Sequence, residues 1–217
     1  NPPSGFIVLA NSRPPESQQI DGIWEPSDRF ETLTFLLADI SLWSAGDMKL
    51  LQGKNFNQNH LWIRDILLNS SHSLAEEKPG STLAAMRTSV QTWDGHSPDN
   101  SVAAAIFHQW NLENMKLLFD ELPPEKLTEY LKTAAHWYAY KRLLTLTDHL
   151  LWDNPNTSIK ENAHQIISLG LKSTLKYFQT NFGNNIDQWT WGKIHKLTYV
   201  HPLGRVSPLN YFFNLGP

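Results

Sequence analysis

Residues Ser27 to Ile40 read SDRFETLTFLLADI, and a helical pattern begins with this stretch. Its large apolar residues recur at steps of three and four, from Phe30 through Leu33 and Leu36 to Ile40. This spacing places them on one face of a helix, and Ser27 is suited to cap the helix start. The stretch therefore predicts an amphipathic α-helix that opens a helical region.

The chain beyond this stretch predicts a bundle of about seven helices. Ser44 and Asp47 have the spacing of a capping box at the start of a second, short helix. Ser158 and Glu161 have the same spacing before the last long helix, which is predicted to end near Gly183. The other predicted helices cover residues 57–68, residues 81–93, residues 102–119 and residues 125–152, the last as one long helix or two short ones.

The two ends of the chain predict extended structure instead. Residues 5–10 read GFIVLA and precede the sequence NSRPP, which is typical of a buried strand followed by a rigid turn. Residues 191–200 are rich in aromatic and β-branched side chains, which favour a strand or an extended segment. We therefore expect a mainly α fold flanked by short strands. It divides into a strand and loop over 1–26, a helical domain over 27–190 and an extended return over 191–217.

Composition narrows the classes of function. The 217 residues include 18 Lys and Arg against 21 Asp and Glu, and this balance argues against binding to a nucleic-acid backbone. No apolar run approaches the roughly 20 residues of a membrane span. Cysteine is absent, which excludes disulfides, thiol nucleophiles and cysteine metal sites. The chain starts at Asn1 without a signal segment and stops in an apolar run, so we expect a piece of a longer polypeptide.

Isolated residues give several open hypotheses. The sequence has no Gly-rich phosphate loop, no His-Glu-x-x-His and no Gly-x-Ser-x-Gly. Asn11 follows the first predicted strand, where Asn is common for conformational reasons alone. Arg29 stands at a helix N-terminus, where a cation is unfavourable, so either a partner holds it or it is a solvated surface residue. His195 and His201 would share a face of an extended segment; structural contacts are favoured over a metal site.

Several stretches of the sequence form an ordered set of motifs: residues 5–14, 23–30, 93–95 followed by 103–107, 191–195 and 201–204. Taken together, they resemble the penicillin acylase family of N-terminal nucleophile hydrolases, in which they occur in the same order. The resemblance covers nearly the whole chain, which matches the later part of the β subunit. The resemblance implies that the flanking strands belong to the αββα core of these hydrolases.

The resemblance implies an amidohydrolase that cleaves N-acyl bonds of the penicillin or acyl-homoserine lactone type. In this family a Ser at the start of the self-cleaved β subunit attacks the amide carbonyl, with its own α-amino group as the base. Asn11 matches the family's Asn that donates to the oxyanion, and Arg29 matches the Arg that orients it. Since the nucleophilic Ser has no counterpart at Asn1, this chain alone is expected to be inactive.

The resemblance also implies further contacts and partners. Trp24 matches an aromatic residue near the acyl pocket. His195 and His201 match family positions near the end of the helical segment; we expect structural roles for them, with His201 the one expected to lie nearer the substrate. Asp21 matches a carboxylate ligand of a structural calcium ion; no cofactor is required for the reaction itself. The implied partners are the α subunit and the N-terminal part of the β subunit, with a small N-acyl substrate, in the periplasm or outside the cell. The alternative is a non-catalytic helical interaction module, or a family member that has lost catalysis.

Overall fold

The computed structural model of the chain describes residues 4–14, 22, 24, 26–38, 43–71, 80–155, 157–197 and 199–214. Within these residues the protein is mainly helical, as the sequence predicts. They contain isolated β-bridges, such as that between Phe56 and His96, and no β-ladder. In this part of the chain, every helix is too short or too polar to cross a membrane.

Ten α-helices follow one another along the described residues. In chain order they are α1 Asp28–Ala38, α2 Ala45–Gln52, α3 Gln58–Ser70, α4 Thr82–Gln91, α5 Val102–Leu118, α6 Pro124–Tyr130, α7 Ala135–Leu144, α8 Ala163–Phe182, α9 Trp191–Ile194 and α10 Asn210–Phe213. The segment predicted as one long or two short helices over 125–152 thus forms two, α6 and α7, followed by a 3-10 turn at Leu150–Trp152.

Side-chain caps explain why several helices begin where they do. The predicted capping box of α2 is confirmed, since the Ser44 hydroxyl accepts from the Asp47 amide and the Asp47 carboxylate accepts from the Ser44 amide. Ser81 and Ser101 cap α4 and α5 by accepting a backbone N–H three residues on. At α1 the Ser27 hydroxyl instead donates to the carboxylate of Glu31, at 2.6 Å.

The last long helix begins later than predicted. Asn162 caps α8, because its side chain accepts from the Gln165 amide at 3.1 Å and the Gln165 side chain accepts from the Asn162 amide at 3.0 Å. The capping box predicted at Ser158 and Glu161 is wrong. The Glu161 carboxylate accepts from the Thr157 hydroxyl at 2.8 Å, so it is engaged with the preceding loop.

Helices α5 and α8 form the centre of the core. Trp110 of α5 is fully buried, and its indole N–H donates to the carbonyl of Ile167 in α8 at 2.8 Å. Asn114 of α5 is also buried and donates its side-chain N–H to the Tyr140 hydroxyl of α7 at 3.1 Å. These two hydrogen bonds are made inside the apolar core, so they fix the register of three helices against one another.

Gly170 of α8 packs directly against Asn114 of α5. A Cβ atom at this position would overlap the side-chain oxygen of Asn114 and lie 2.9 Å from its Cγ. Asn114 cannot move aside without losing its buried hydrogen bond to Tyr140. We therefore expect Gly170→Ala to lower the free energy of unfolding by about 2 kcal/mol, measured by urea denaturation, although Ala favours a helix over Gly.

Gly46 of α2 provides the matched control. A Cβ atom there would have the Ser44 hydroxyl oxygen, at 3.5 Å, as its nearest contact, which is ordinary packing distance. Because Ala is the better helix former, Gly46→Ala should leave stability equal to wild type or slightly above it. Equal stability of the two Ala variants would contradict the close approach of α5 and α8 at Gly170.

The strand predicted over residues 5–10 is not formed. The burial of this segment does alternate: Phe6 and Val8 are half-buried and Ala10 is buried, while Ile7 and Leu9 are 73% and 88% exposed. Alternation of this kind is what a strand requires of its side chains. A strand also needs a hydrogen-bonded neighbour, and the described residues supply none to this segment.

The extended segment predicted over residues 191–200 is wrong at its start. Residues Trp191 to Ile194 form the short helix α9, in which the His195 amide donates to the Trp191 carbonyl at 2.8 Å. The Trp191 amide donates to the Ser101 carbonyl, and the Trp191 ring stacks on His108. Aromatic enrichment reflects burial against α5 here, because β-propensity depends strongly on context.

Candidate functional site

Asn11 has a special backbone conformation. Its φ of 56° lies in the left-handed region, and among the described residues other than glycine it alone has a positive φ. Asn is one of the few side chains that tolerate this region, which fits the turn predicted after residue 10. Asn11 is exposed, and the described residues include no hydrogen-bond partner for its amide.

A cavity of about 590 Å³ opens beside this amide. Most of its lining is apolar, and its walls include Leu9, Ala10, Asn11, Arg13, Trp24 and Phe30. We call it the Asn11 cleft. Phe30 belongs to the first turn of α1, so the end of the N-terminal segment lies against the beginning of the first helix. Trp24 lines the same cavity as Asn11, and its place beside an acyl pocket stays a prediction.

A second cavity of about 540 Å³ shares Arg13, Trp24 and Phe30 with the Asn11 cleft and extends to Glu31 and Tyr138. It is the more polar of the two cavities, because the carboxylate of Glu31 lies in its wall in addition to the shared side chain of Arg13. A hydrogen bond from the Ser27 hydroxyl holds the pKa of Glu31 below its usual value, so Glu31 is ionised at neutral pH. Sequence analysis did not single out Arg13 or Tyr138.

Arg29 lies on a different side of α1 from the Asn11 cleft. Its side chain lines a smaller cavity of about 180 Å³, together with Thr32, Lys54 and Asn57. Successive helix residues are separated by about 100° around the axis, so with Phe30 facing the cleft Arg29 faces elsewhere. Arg29 is exposed and makes no ion pair within the described part of the chain. The structure therefore does not bring Arg29 and Asn11 into one cavity, and their predicted pairing stays a prediction.

The start of α1 is held by α7. Asp28 is buried, at 7% exposure, and its two carboxylate oxygens each lie 3.2 Å from the Lys141 ammonium. The indole N–H of Trp137 also donates to Asp28, at 3.4 Å. Four residues before Asp28, the backbone carbonyl of Trp24 accepts a hydrogen bond from the Tyr138 hydroxyl at 2.8 Å. Both side-chain partners of Asp28 lie on α7, more than a hundred positions away in the sequence.

Two histidines form an aromatic cluster between α3 and α5. The rings of His60 and His108 meet edge to face with centroids 5.0 Å apart, and Trp191 stacks on His108 at 4.3 Å. Each ring keeps some accessible surface, but dense packing withdraws both from water. Burial lowers the pKa of His60 to about 4, against an opposing effect of Asp28. Burial also lowers the pKa of His108 to about 3, and His60 and His195 add to this. Both rings are therefore neutral at physiological pH.

The histidines near the C-terminal end make structural contacts. His195 packs against the Trp191 ring with centroids 4.5 Å apart, and His201 stacks on Phe213 at 5.4 Å. Neither of them lines the Asn11 cleft. Three or more side chains able to hold a metal do not come together anywhere in the described ranges. Asp21, the predicted calcium ligand, lies outside the described residues.

Comparison with known proteins identifies the class to which this helical chain belongs. The sequence profile of the family Penicillin amidase matches residues 1–217, the whole chain. The chain therefore belongs to the penicillin amidase family. The resemblance carried by the motifs around Asn11, Arg29 and His195 is confirmed at the level of the family.

Two curated relatives are similar over parts of their length. An acyl-homoserine lactone acylase QuiP of Pseudomonas fluorescens strain Pf-5 is 23% identical over 232 residues, covering 94% of this chain and 27% of that protein. The enzyme of the same description from strain Pf0-1 is 28% identical over 124 residues, covering 54% of this chain and 15% of that protein. The chain thus spans about a quarter of the length of the first of these relatives.

Proposed function

We propose that this chain is the part of an N-acyl amidohydrolase that supplies the oxyanion-binding amide and one wall of the substrate cleft. The observation that carries the proposal is the Asn11 amide. It stands on a left-handed turn at the mouth of an apolar cleft, in a chain of the penicillin amidase family. Left-handed residues other than glycine cost free energy and cluster at functional sites, where the surrounding structure maintains them.

In the proposed reaction, a serine hydroxyl carried by another segment of the same precursor attacks the carbonyl carbon of the N-acyl bond. The hydroxyl proton goes to the α-amino group of that serine, and the carbonyl electron pair moves onto oxygen. Asn11 donates an N–H to this oxyanion. Collapse of the tetrahedral intermediate breaks the C–N bond, and the leaving amine takes up the proton. Water then hydrolyses the acyl-serine ester and releases the acid.

The walls of the cleft favour a substrate with an apolar acyl group. Leu9, Trp24 and Phe30 offer hydrocarbon and ring surface beside Asn11. Arg13 lines both cavities, whereas Glu31 lines only the second. We propose acyl-homoserine lactones or penicillin-type amides as the substrate class, with the acyl chain in the Asn11 cleft. The two similar acylases described above are named for the first of these classes.

We also propose partners, an ion and a location for the whole protein. The partners of this chain are the α subunit and the N-terminal part of the β subunit, which together carry the nucleophile and the rest of the acyl pocket. A structural calcium ion bound through Asp21, no cofactor in the reaction and a periplasmic or secreted location follow from the family resemblance.

The proposed activity is tested on the complete protein. Purified protein is incubated with an acyl-homoserine lactone and, separately, with a penicillin, and the released free amine is quantified. We expect amine release from at least one of them, with kcat/KM rising as the acyl chain lengthens, because each buried methylene contributes about 0.8 kcal/mol. Absence of amine release from both substrates would contradict the proposal.

A non-catalytic member of the family is the second candidate. One observation favours it, since Arg29 faces a different cavity from the residue it is expected to support. The N-terminal residue of the mature β subunit, determined by protein sequencing, distinguishes the two. A serine released by self-cleavage supports the hydrolase, and any other residue, or an uncleaved precursor, supports the non-catalytic member.

A further inference from the structure

We propose that α7 is the element that positions the Asn11 cleft, with Lys141 and Tyr138 as its positioning residues. This inference rests on the proposed function, because it concerns the geometry of the same cleft. Neither side chain is part of the reaction itself. Tyr138 contacts Trp24, and Lys141 contacts Asp28 at the start of α1. Both contacts join parts of the chain that are distant in sequence and lie next to the walls of the cleft.

The first contact is the ion pair between Lys141 and Asp28. It spans 113 positions of sequence and joins α7 to the first residue of α1. Asp28 is 7% exposed, so its carboxylate has little access to water and depends on Lys141 and the Trp137 indole for its partners. A buried carboxylate that loses its cation is strongly unfavourable. The start of α1, including Arg29 and Phe30, is therefore tied to α7.

The second contact is the hydrogen bond from the Tyr138 hydroxyl to the Trp24 carbonyl, at 2.8 Å across 114 positions. Tyr138 also lines the second cavity next to Trp24 and Phe30. It thus holds the loop before α1 and forms part of the wall at the same time. Trp24 is half-buried and lines both cavities, so a shift of its backbone changes the walls of both.

The residues contacted, Trp24 and Asp28, are four positions apart in the sequence. Their partners on α7 are three positions apart. Residues 138 and 141 lie on one face of the helix, because side chains three apart are neighbours on a helix surface. A single face of α7 therefore contacts both Trp24, which precedes α1, and Asp28, the first residue of α1. Removing either contact is expected to shift Trp24 and Phe30 relative to Asn11, and such a misplacement lowers kcat/KM.

The inference is tested by steady-state kinetics of the complete protein with the acyl-homoserine lactone that it hydrolyses. We expect Tyr138→Phe to raise KM by about fivefold with kcat within about twofold of wild type, since one hydrogen bond to the wall is lost. We expect Lys141→Met to lower kcat/KM by about tenfold or more, and Lys141→Arg, which keeps the charge, to restore most of it.

Surface variants of the same chemistry provide controls. Lys132→Met breaks the exposed ion pair with Glu129, and Tyr211→Phe removes a hydroxyl from a ring that is 80% exposed. Both should keep wild-type kcat and KM, because exposed ion pairs contribute little. Thermal denaturation of every variant gives the folded fraction to which the rates are normalised.

A purely structural role gives a different pattern. Lys141→Met and Tyr138→Phe would then lower the melting temperature while kcat and KM per folded molecule stayed at wild-type values, and this result overturns the inference. Where Lys141→Met does not fold, an unchanged KM in Tyr138→Phe overturns it by itself. A wild-type protein without any hydrolysis refutes the proposed function instead, so the two failures are distinguishable.

Discussion

Asn11→Ala is expected to lower kcat of the complete protein by about 10²–10³-fold, because a single preorganised oxyanion donor contributes this much. The substitution removes both N–H donors from the mouth of the cleft. It leaves the packed residues of α5 and α8 untouched, so folding and self-cleavage should proceed as in the wild type. Amine release from the substrate gives kcat, and the appearance of the mature β subunit on a gel reports self-cleavage.

Asn11→Gly distinguishes the role of the side-chain amide from the role of the left-handed turn. At a φ of 56° glycine is unstrained, so this variant keeps the left-handed backbone and loses the side chain. If the amide binds the oxyanion, Asn11→Gly should be as inactive as Asn11→Ala. If Asn11 is present only because Asn tolerates the turn, Asn11→Gly should turn over like the wild type, and the assignment of an oxyanion donor would be wrong.

Acid should destabilise the protein through His60 and His108. Their pKa values, lowered by burial to about 4 and about 3, compare with about 6.5 for histidine in an unfolded chain. Above pH 6.5 both rings are neutral in either state and contribute nothing. As the pH falls below 6.5, the unfolded chain gains protons that the folded protein does not, so stability decreases with decreasing pH. At pH 5 each ring accounts for about 2 kcal/mol, or about 4 kcal/mol together.

This prediction is measured as the difference in unfolding free energy between pH 7.5 and pH 5, by urea denaturation. His60→Gln and His108→Gln should each remove about half of the predicted 4 kcal/mol from that difference, whatever their effect on stability at pH 7.5. A wild-type difference that persists in full in the His60 and His108 variants would show that these rings are not the groups responsible.

The helical part of the fold could be predicted because its signals are local. The predicted capping box at Ser44 involves residues three apart, and the structure forms it as expected. The caps that the structure shows at Ser81 and Ser101 have the same local spacing. The prediction of a capping box at Ser158 was wrong for a reason that cannot be read from the spacing of the residues. The Glu161 carboxylate is bound by Thr157 in the loop, so the next suitable residue, Asn162, caps α8.

The two ends show where local patterns are insufficient. Residues 5–10 have the alternating burial of a strand, yet the described residues offer no neighbouring strand to complete it. Trp191 has the residue type of a strand, but its ring stacks on His108 and its backbone hydrogen-bonds to the loop before α5. In both cases contacts between residues far apart in the sequence decide the structure. Hydrophobic periodicity and β-propensity do not predict such contacts.

Part of the candidate site could also be anticipated from the sequence. Asn11 and Trp24 were placed by motif position, and they line one cavity. The separation of Arg29 from that cavity could not be predicted, because it depends on which side of α1 faces Asn11. Nor could the anchoring of Asp28 by Lys141, since a charge pair 113 positions apart has no signature in a single sequence.

The most direct test of the proposed role of Asn11 is a crystal structure of the complete protein with a tetrahedral transition-state analogue, such as an alkyl boronic acid, bound to the nucleophilic serine. We predict that the side-chain nitrogen of Asn11 lies about 3 Å from the oxygen that replaces the oxyanion, with the alkyl chain against Leu9, Trp24 and Phe30. An Asn11 amide turned away from that oxygen, with another donor in its place, would contradict the proposal.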